Sequence, residues 1–221
     1  ECSMIARRIG TGLVGLMLAV SSLAARAEDA DKPSAEKLRE ANLRSVLVVP
    51  VVNRSVDVDA QDYFLTTISR PLAERGYYVF PVHLVKRMME DEGMADADMV
   101  HGADPRQLAG LFGADSVLYI SIERWDARYI VLSTTVTVAL DYTLKSGLTG
   151  ETLWKSHQQL AYSPQNNNSS GNPLVDLVAM AVTAAIAKAS PNYMPLAQRA
   201  NQQAVYTGGL LPGPYDLPAE K

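Results

Sequence analysis

A run of apolar, mostly β-branched residues at 45–52 constrains the fold of this chain more than any other segment. The run reads Ser-Val-Leu-Val-Val-Pro-Val-Val, with no charged residue and no alternation of polar and apolar side chains. Such a composition is typical of a strand in a sheet that is covered on both faces. Pro50 cannot donate a backbone hydrogen bond, so the strand is predicted to end near that position. Helices are therefore required on both sides of the sheet.

The residues that follow predict helices able to cover this strand. Apolar side chains recur at helical spacing after Ala60, and glycines stop the helices. Asp59 is predicted to cap the first helix, and Asp62 adds a favourable charge in its first turn. The predicted elements are a helix over Ala60–Arg75, a strand over Tyr77–Pro81, a helix over Val82–Glu92 and a helix that Asp104 and Pro105 open and Gly113 stops. The order strand, helix, strand, helix, helix predicts a parallel sheet.

Residues 116–162 follow a different pattern, in which apolar and polar side chains alternate. The predicted strands are Ser116–Arg124, Tyr129–Lys145 and Thr152–Tyr162, with turns at Trp125–Arg128 and at 146–150. Strict alternation places one face of a strand in water. Three neighbouring strands joined by turns predict an antiparallel meander.

A segment near the C-terminus, Leu174–Ala189, predicts a helix that is apolar on almost its whole circumference. Such a helix must be covered on most sides. It has three interpretations: part of the domain's own core, a contact with a second copy or a partner, or a membrane-inserting segment. Its length of about 16 residues falls short of the roughly 20 that a membrane span requires. The candidate interface residues are Leu174, Val178, Ala181, Val182 and Ala185.

The fold class that these patterns predict is α/β. A mixed sheet combines a βαβαα front half with a three-stranded antiparallel meander, and an apolar C-terminal helix follows. The predicted division of the chain is a signal peptide with leading residues at 1–27, a tether at 28–43, one α/β domain at 44–205 and an extended tail at 206–221. The tether is polar and short of large apolar groups, with some helix expected near Ala35–Asn42. The tail is rich in Gly and Pro.

The N-terminal segment has the features of an export signal. A basic stretch after Met4 is followed by an uncharged apolar run over Ile9–Leu23 and by small residues at Ala25 and Ala27. This order is typical of a signal peptide with an ordinary cleavage site. The mature chain is therefore expected to begin at Glu28 and to lie in the periplasm.

The composition excludes several classes of function. The formal net charge is −4, and removal of the basic signal peptide makes the chain more acidic, which disfavours nucleic-acid binding. The single cysteine, Cys2, precedes the predicted signal, so no disulfide is expected. His83, His101 and His157 are scattered, without carboxylates at ligand spacing, so neither a metal nor a cofactor is expected. No catalytic motif is present, and no catalytic residue is predicted.

The loop after the first strand carries a polar cluster in a position that suits a binding site. Its candidate residues are Asn53, Arg54, Ser55 and Asp57. Open α/β sheets bind ligands beyond the carboxyl ends of their strands, so these side chains are candidates for contact with a ligand or partner. The same residue types also form Asx and Ser turns, which would give them a structural role in shaping the loop. Acid–base chemistry would require two convergent carboxylates there.

Four sequence blocks resemble a family of bacterial lipoproteins of unknown function that includes a neisserial surface antigen. The blocks are Ser45–Val58, Pro71–Val82, Phe112–Ile120 and Thr149–Trp154. The resemblance implies an α/β domain similar to the N-terminal domain of the periplasmic propeller protein of the Tol-Pal system. It also implies a homodimer at the outer membrane and an association with a curli-type secretion-channel lipoprotein.

This chain departs from the family at the lipobox. Family members carry a cysteine at the end of the apolar run, where this chain reads Leu-Ala-Ala-Arg-Ala at 23–27. Lipid anchoring is therefore not expected, and contact with the membrane would be indirect. The leading hypothesis is a non-enzymatic periplasmic binding or assembly module that serves an outer-membrane secretion or envelope complex. The alternative is a small-ligand-binding or hydrolytic enzyme with its site on the loop Asn53–Asp57.

Overall fold

One mixed sheet organises the computed structural model, which describes residues 34–130, 133–162 and 193–216. The strands are β1 (Ser45–Val48), β2 (Val52–Asn53), β3 (Tyr78–Val79), β4 (Ser116–Ile130), β5 (Ser133–Ser146) and β6 (Thr152–Tyr162). The helices in these ranges are α1 (Ser34–Ala41), α2 (Ala60–Glu74), α3 (Val82–Asp91), α4 (Ala97–Gly102), α5 (Pro105–Phe112) and α6 (Met194–Gln202), which a π-helical turn (Gln203–Thr207) follows. The strand order is β3-β1-β4-β5-β6, and β2 also pairs with β4. The predicted α/β class with a mixed sheet is confirmed.

β1 is buried on both of its faces. Val46 and Val48 belong to the core layer that contains α1, α2 and α6. Leu47 and Val49 belong to the layer that contains α3, α4 and α5. Each of these four side chains is at most 1% exposed. The apolar run therefore has the two-sided burial that its composition predicts.

The apolar run is divided into two strands around Pro50. β1 ends at Val48, opposite Leu118 of β4, and β2 begins at Val52, opposite Ser121. The chain advances by four positions from Val48 to Val52 but only by three from Leu118 to Ser121. One extra residue on one side of a strand pair is the geometry of a bulge. Proline has no backbone N–H, so it fits a position outside the ladder. The predicted strand end near Pro50 is correct for β1, but pairing with β4 resumes at β2.

β4, β5 and β6 form the predicted antiparallel meander. β4 is longer than predicted, because it continues through Trp125–Arg128 to Ile130. The pairing register shifts between Ile122 and Arg124, and such a bulge changes which residues face the core. Trp125 is consequently buried in the core. The predicted turn at Trp125–Arg128 is wrong, because the break in alternation marks a bulge and not the end of the strand.

The helix starts and stops agree only in part with the sequence signals. α4 is not predicted, because its six residues are too few to display helical periodicity. Asp59 is wrong as a side-chain cap of α2, since its carboxylate makes no cap bond. Asp57 Oδ1 instead accepts a hydrogen bond from Asp59 N at 3.0 Å. Asp104 caps α5 as predicted, because its carboxylate accepts from Arg106 N.

The described part of the predicted tether is packed against the domain. Leu38 of α1 is buried in the core, and the Lys37 ammonium lies 3.2 Å from the Glu151 carboxylate. Leu38 on this eight-residue helix and Leu43, which follows it, are both buried and dock the segment although its composition is polar. A helix is expected from the sequence near Ala35–Asn42, and α1 lies there, docked on the domain.

Part of the predicted tail, residues 206–216, is hydrogen-bonded to the domain. The Arg75 guanidinium donates to the carbonyl of Leu210 at 2.8 Å. The Tyr77 hydroxyl donates to the carbonyl of Leu211 at 2.7 Å. Leu210 is itself buried in the core. The core therefore extends past the predicted domain end in this direction too.

Several sequence predictions concern residues outside the described ranges. These are the signal peptide, its cleavage positions Ala25 and Ala27, and the apolar helix Leu174–Ala189 with its candidate interface. The last α-helix in the described part of the chain is α6, which the sequence patterns do not predict. α6 packs against α2, β5 and β6.

A buried chain of hydrogen bonds joins α6 to the sheet and to α2. The Tyr142 hydroxyl donates to Asn201 Oδ1 at 2.7 Å, and Asn201 Nδ2 donates to Thr67 Oγ1 at 2.8 Å. The Thr67 hydroxyl donates in turn to the carbonyl of Phe64 at 2.6 Å. Burial raises the pKa of Tyr142 well above its ordinary value, so its hydroxyl stays protonated and donates. Asn201 is completely buried, and this network fixes the position of α6 on both neighbours.

Asn201→Ala should lower the free energy of unfolding by about 2–4 kcal/mol, because it leaves the Tyr142 and Thr67 hydroxyls buried without their partner. Urea denaturation of the purified variant measures this loss. Gln202→Ala is the matched control, since Gln202 is exposed on the same helix and its loss should change stability little. Equal stability of the two variants would contradict the role assigned to the network.

Gly147→Ala should also destabilise the fold, because the new Cβ would lie 2.6 Å from Ala109 Cβ and 2.7 Å from the carbonyl oxygen of Ala114. Gly110→Ala is the control, since a Cβ at that helical position meets no atom within 4 Å among the described residues. It should stabilise the fold by roughly 0.5–1 kcal/mol through helix propensity. Thermal melting should move the two variants in opposite directions, and a lower melting temperature for both would refute this packing argument.

Candidate functional site

The candidate loop leaves the sheet at the carboxyl end of β2. Asn53 is the last residue of β2, where it pairs with Ile122 of β4. Arg54 N continues the ladder for one more bond by donating to the carbonyl of Ile122 at 2.9 Å. The loop over residues 54–59 then leads into α2. Its position therefore follows from the second half of the divided apolar strand.

The polar side chains of this loop bond mainly to the loop itself. Asn53 Oδ1 accepts from Ser55 N at 3.0 Å and from Ser55 Oγ at 2.7 Å. Asn53 Nδ2 donates to the carbonyl of Asp57 at 2.6 Å. Asp57 Oδ1 accepts from Asp59 N. These are the bonds of Asx-type turns, so the geometry favours the structural interpretation of Asn53, Ser55 and Asp57.

Arg54 ties the loop to β4 by charge. Its Nε lies 3.4 Å from Glu123 Oε1, and its side chain is 58% exposed. An ion pair this exposed contributes little to stability and is screened by salt. It fixes the direction of the Arg54 side chain next to the β4 bulge more than it strengthens the fold.

Two apolar side chains point outward from the same loop. Val56 is 89% exposed and Val58 is 78% exposed. Both side chains are accessible to another molecule, and the loop backbone beneath them is held by hydrogen bonds from Asn53. The polar residues of the loop stand out in the sequence, whereas the exposure of these two valines depends on the geometry of the turn and has no signal in the sequence.

The described residues show no arrangement for metal chemistry. Across residues 34–130, 133–162 and 193–216, no group of three or more His, Cys, Asp or Glu side chains is placed to hold a metal ion. Within the same ranges, every helix is too short or too polar to cross a membrane.

The histidines have partners that the sequence spacing does not reveal. His157 Nδ1 lies 2.6 Å from Asp141 Oδ1, because the two residues are direct neighbours in the β5–β6 register. This pairing across two strands is not visible in the sequence spacing, where the histidines have no carboxylate at ligand spacing. His101 Nε2 donates to the carbonyl of Pro50 at 3.0 Å, since a carbonyl can only accept. His83 is exposed on α3.

A polar pocket of about 190 Å³ lies on the face of the meander that the helices α1, α2 and α6 do not cover. It is lined by His101, Tyr119, Ser121, Asp141, Thr143 and Lys145. The ring of His101 meets the ring of Tyr119 edge to face, with centroids 5.1 Å apart. Burial raises the pKa of Tyr119 to about 12. No pattern in the sequence predicts this group, because the strand register brings its members together.

A larger cleft of about 560 Å³ lies between α1, α5 and the turn after β5. Its charged groups are engaged in the fold. Asp115 Oδ2 accepts from Arg44 N, Ser45 N and Ser45 Oγ at 2.9–3.0 Å, and Lys37 pairs with Glu151. Asp115 thus anchors the start of β1 to the start of β4, and the cleft offers no free catalytic group among these residues.

Acid should destabilise the fold through His101. Burial lowers the pKa of His101 in the folded state. At a pH between its pKa in the folded protein and its pKa in the unfolded chain, the unfolded chain therefore binds the proton more readily. This contribution to stability is complete above about pH 6.5, the ordinary histidine value, and is lost as the pH falls below it.

The variant His101→Gln, whose amide can still donate to Pro50, should show a flatter loss of stability between pH 7 and pH 5, roughly the range in which an ordinary histidine takes up its proton. Denaturant melts at several pH values measure this slope. His83→Gln serves as the control and should keep the wild-type slope. An unchanged slope in His101→Gln would show that other groups cause the acid sensitivity.

The chain is similar to lipoproteins of Neisseria. It is 31% identical over 157 residues to "Putative lipoprotein NMB1124/NMB1162" of Neisseria meningitidis serogroup B (strain ATCC BAA-335 / MC58), a match that covers 71% of this chain and 73% of that protein. The crystal structure of lipoprotein GNA1162 from Neisseria meningitidis matches with a TM-score of 0.55 and 34% identity, over 66% of this chain and 99% of that chain.

A weaker match is the PelC dodecamer from Paraburkholderia phytofirmans. Its identity is 13% and its TM-score 0.48, over 78% of this chain and 89% of that chain. A match at this level carries neither an assembly state nor a function over to this chain. The similarity to the N-terminal domain of the Tol-Pal propeller protein stays a prediction.

The family assignment rests on nearly all of the described structure. The matching family model spans residues 34–215, which include every element from α1 to the turn after α6. The chain therefore belongs to the family described as "Putative lipoprotein GNA1162-like".

Proposed function

We propose that this protein is a non-enzymatic binding or assembly module of the bacterial cell envelope, and that it contacts a protein partner through the loop 54–58. The lipoprotein descriptions of the family and of the neisserial relative support an envelope location. The export signal predicted from the sequence agrees with it, and a periplasmic location is part of the proposal.

The observation that carries this proposal is the outward position of Val56 and Val58. Both side chains are largely exposed, while Asn53 holds the loop by two hydrogen bonds to its backbone and one to the Ser55 hydroxyl. A loop that is already ordered loses little conformational entropy when it binds. Burial of two valines then contributes favourable free energy through the hydrophobic effect.

The enzyme alternative receives less support from the same geometry. The hydrogen-bonding groups of Asn53 and Ser55 are directed to the loop, and Asp57 accepts from the backbone of Asp59. A hydrolytic site needs groups that converge on the position of a substrate. Asn53 and Ser55 bond to each other and to the loop, and Arg54 pairs with Glu123 of β4.

The finer parts of the proposal rest on the sequence. The partner is an outer-membrane secretion-channel lipoprotein of the curli type, as the family resemblance implies. The protein also forms a homodimer through the predicted helix Leu174–Ala189, because a helix that is apolar almost all round needs cover from another surface.

Site-specific crosslinking tests the role of the loop. A photo-crosslinking residue placed at Val56 or at Val58 should capture one specific envelope protein in living cells. The same residue at Leu148 is the matched control, since Leu148 is 85% exposed on the turn after β5. Val56→Ser combined with Val58→Ser should reduce partner capture strongly and leave the melting temperature unchanged, because exposed side chains contribute little to stability.

Two outcomes would refute this role of the loop. One is that residue 148 captures the same protein as efficiently as residues 56 and 58, and the other is that neither loop position captures any protein. Asp57→Asn separates the enzyme alternative, because the amide oxygen can still accept from Asp59 N. Partner capture should survive this change, whereas loss of a hydrolytic or ligand-binding activity would favour an enzyme.

A further inference from the structure

The first helix of the described structure is attached to the domain by few side chains. α1 has eight residues, and Leu38 is the one among them that is buried. Ala41 is partly buried against the same core, and α1 packs mainly on β6. Helices shorter than roughly 12–15 residues are marginal in water on their own. The helical state of α1 therefore depends on its contacts with the domain.

A cleft lies on each side of α1. The cleft of about 560 Å³ described above is lined on its α1 side by Lys37, Glu40 and Ala41. A second cleft, of about 270 Å³, lies between α1 and the tail residues 211–214, and its α1 side is lined by Leu38 and Arg39. Residues spaced by three and four positions share one side of a helix, so the two clefts meet different sides of α1. Both of these sides are incompletely packed against the domain.

The chain is anchored to the sheet directly after α1. Asp115 Oδ2 accepts from Arg44 N and from Ser45 N, each at 2.9 Å, and Leu43 is buried in the core. Asn42 lies between this anchor and α1, and its φ is 43°. This left-handed conformation, which Asn adopts more readily than most residues, ends a helix. α1 can therefore move about Asn42 while the start of β1 stays in place.

An ion pair supplements the contact of Leu38. Lys37 Nζ lies 3.2 Å from Glu151 Oε1, and the Glu151 side chain is 43% exposed. Because water and salt reach this carboxylate, the pair is screened and contributes little to the attachment. The attachment of α1 therefore rests chiefly on the burial of one leucine side chain. Segments with so few buried contacts are the ones that open locally while the rest of a protein stays folded.

We propose that α1 is a releasable strap, which detaches from β6 as a unit by rotation about Asn42 while the sheet and the other helices stay folded. Leu43 lines both clefts, so release of α1 removes the wall between them and joins them into one groove. Leu153 of β6, which is 4% exposed and lines the larger cleft, then lies open to solvent. The strap thus controls access to this groove. It does not involve the loop 54–58, so either proposal stands or fails without the other.

Amide hydrogen exchange of the purified full chain at several low urea concentrations tests the strap. The amides of residues 38–41 should share one protection factor, on the order of a hundredfold or more below that of β5, because local opening does not require global unfolding. Their exchange should hardly respond to urea, since release of one helix exposes little surface. α6 is the internal reference, because it has nine residues but is tied down by the buried Asn201. It should be protected far more strongly than α1.

Three variants of α1 sharpen this test. Leu38→Ala should speed the exchange of residues 38–41 by about tenfold or more and leave β5 and α6 unchanged, because the lost apolar contact belongs to the strap alone. Arg39→Ala is the matched control, since Arg39 is exposed on the same helix, and it should leave the exchange of α1 nearly unchanged. Lys37→Gln should speed it slightly, and high salt should have the same effect on the wild type through screening.

Several results would overturn the strap. Exchange of residues 38–41 at the rate of β5 and with the same urea dependence would show that α1 opens only with the whole fold. Equal acceleration of α1, β5 and α6 in Leu38→Ala would show that this leucine stabilises the whole domain. Equal exchange in Leu38→Ala and Arg39→Ala would remove the role of the leucine. If Leu38→Ala does not fold, the wild-type protection of α1 relative to α6 and β5 decides the question.

Discussion

The burial of β1 on both faces is the constraint on which the rest of the structure depends. β1 lies between two parallel neighbours, β3 and β4, and a helical layer covers each of its faces. Asp115 fixes its start against β4, and the bulge around Pro50 redirects its end. The candidate loop exists because the strand resumes as β2 and then leaves the sheet beside the β4 bulge. Core packing and the position of the outward valines therefore have one origin.

Sequence patterns predict the architecture well where a physical period extends over many residues. The continuous apolar run gives β1, and the alternation after Ser116 gives the meander. The predictions fail where one residue changes the phase of a pattern or where an element is short. The bulge between Ile122 and Arg124 resembles a turn in the sequence, and α4 has too few residues to show a period. Leu38 and Leu43 show that two buried side chains can dock a segment of polar composition.

The candidate sites are harder to predict because they depend on register and on competition for hydrogen bonds. Asn53 and Asp57 are residue types that fit both a ligand site and a turn, and the observed bonds support the turn. Tyr119 and Lys145 are 26 residues apart and meet only because β4 and β5 pair in this register. A slip of one residue would place either side chain on the opposite face of the sheet. No local pattern in the sequence predicts the pairing register of β4 and β5.

The buried asparagine of α6 has a consequence for the order in which the chain folds. Asn201 bonds to Thr67 across 134 residues of sequence, so this contact requires closure of a long loop, which is slow and entropically unfavourable. The face of α2 that α6 covers stays exposed to water until the C-terminal part of the chain arrives. During synthesis or transport from the N-terminus, this apolar face of α2 therefore stays uncovered until most of the chain is present. The fold can therefore be completed only after the C-terminal part of the domain has been synthesised or transported.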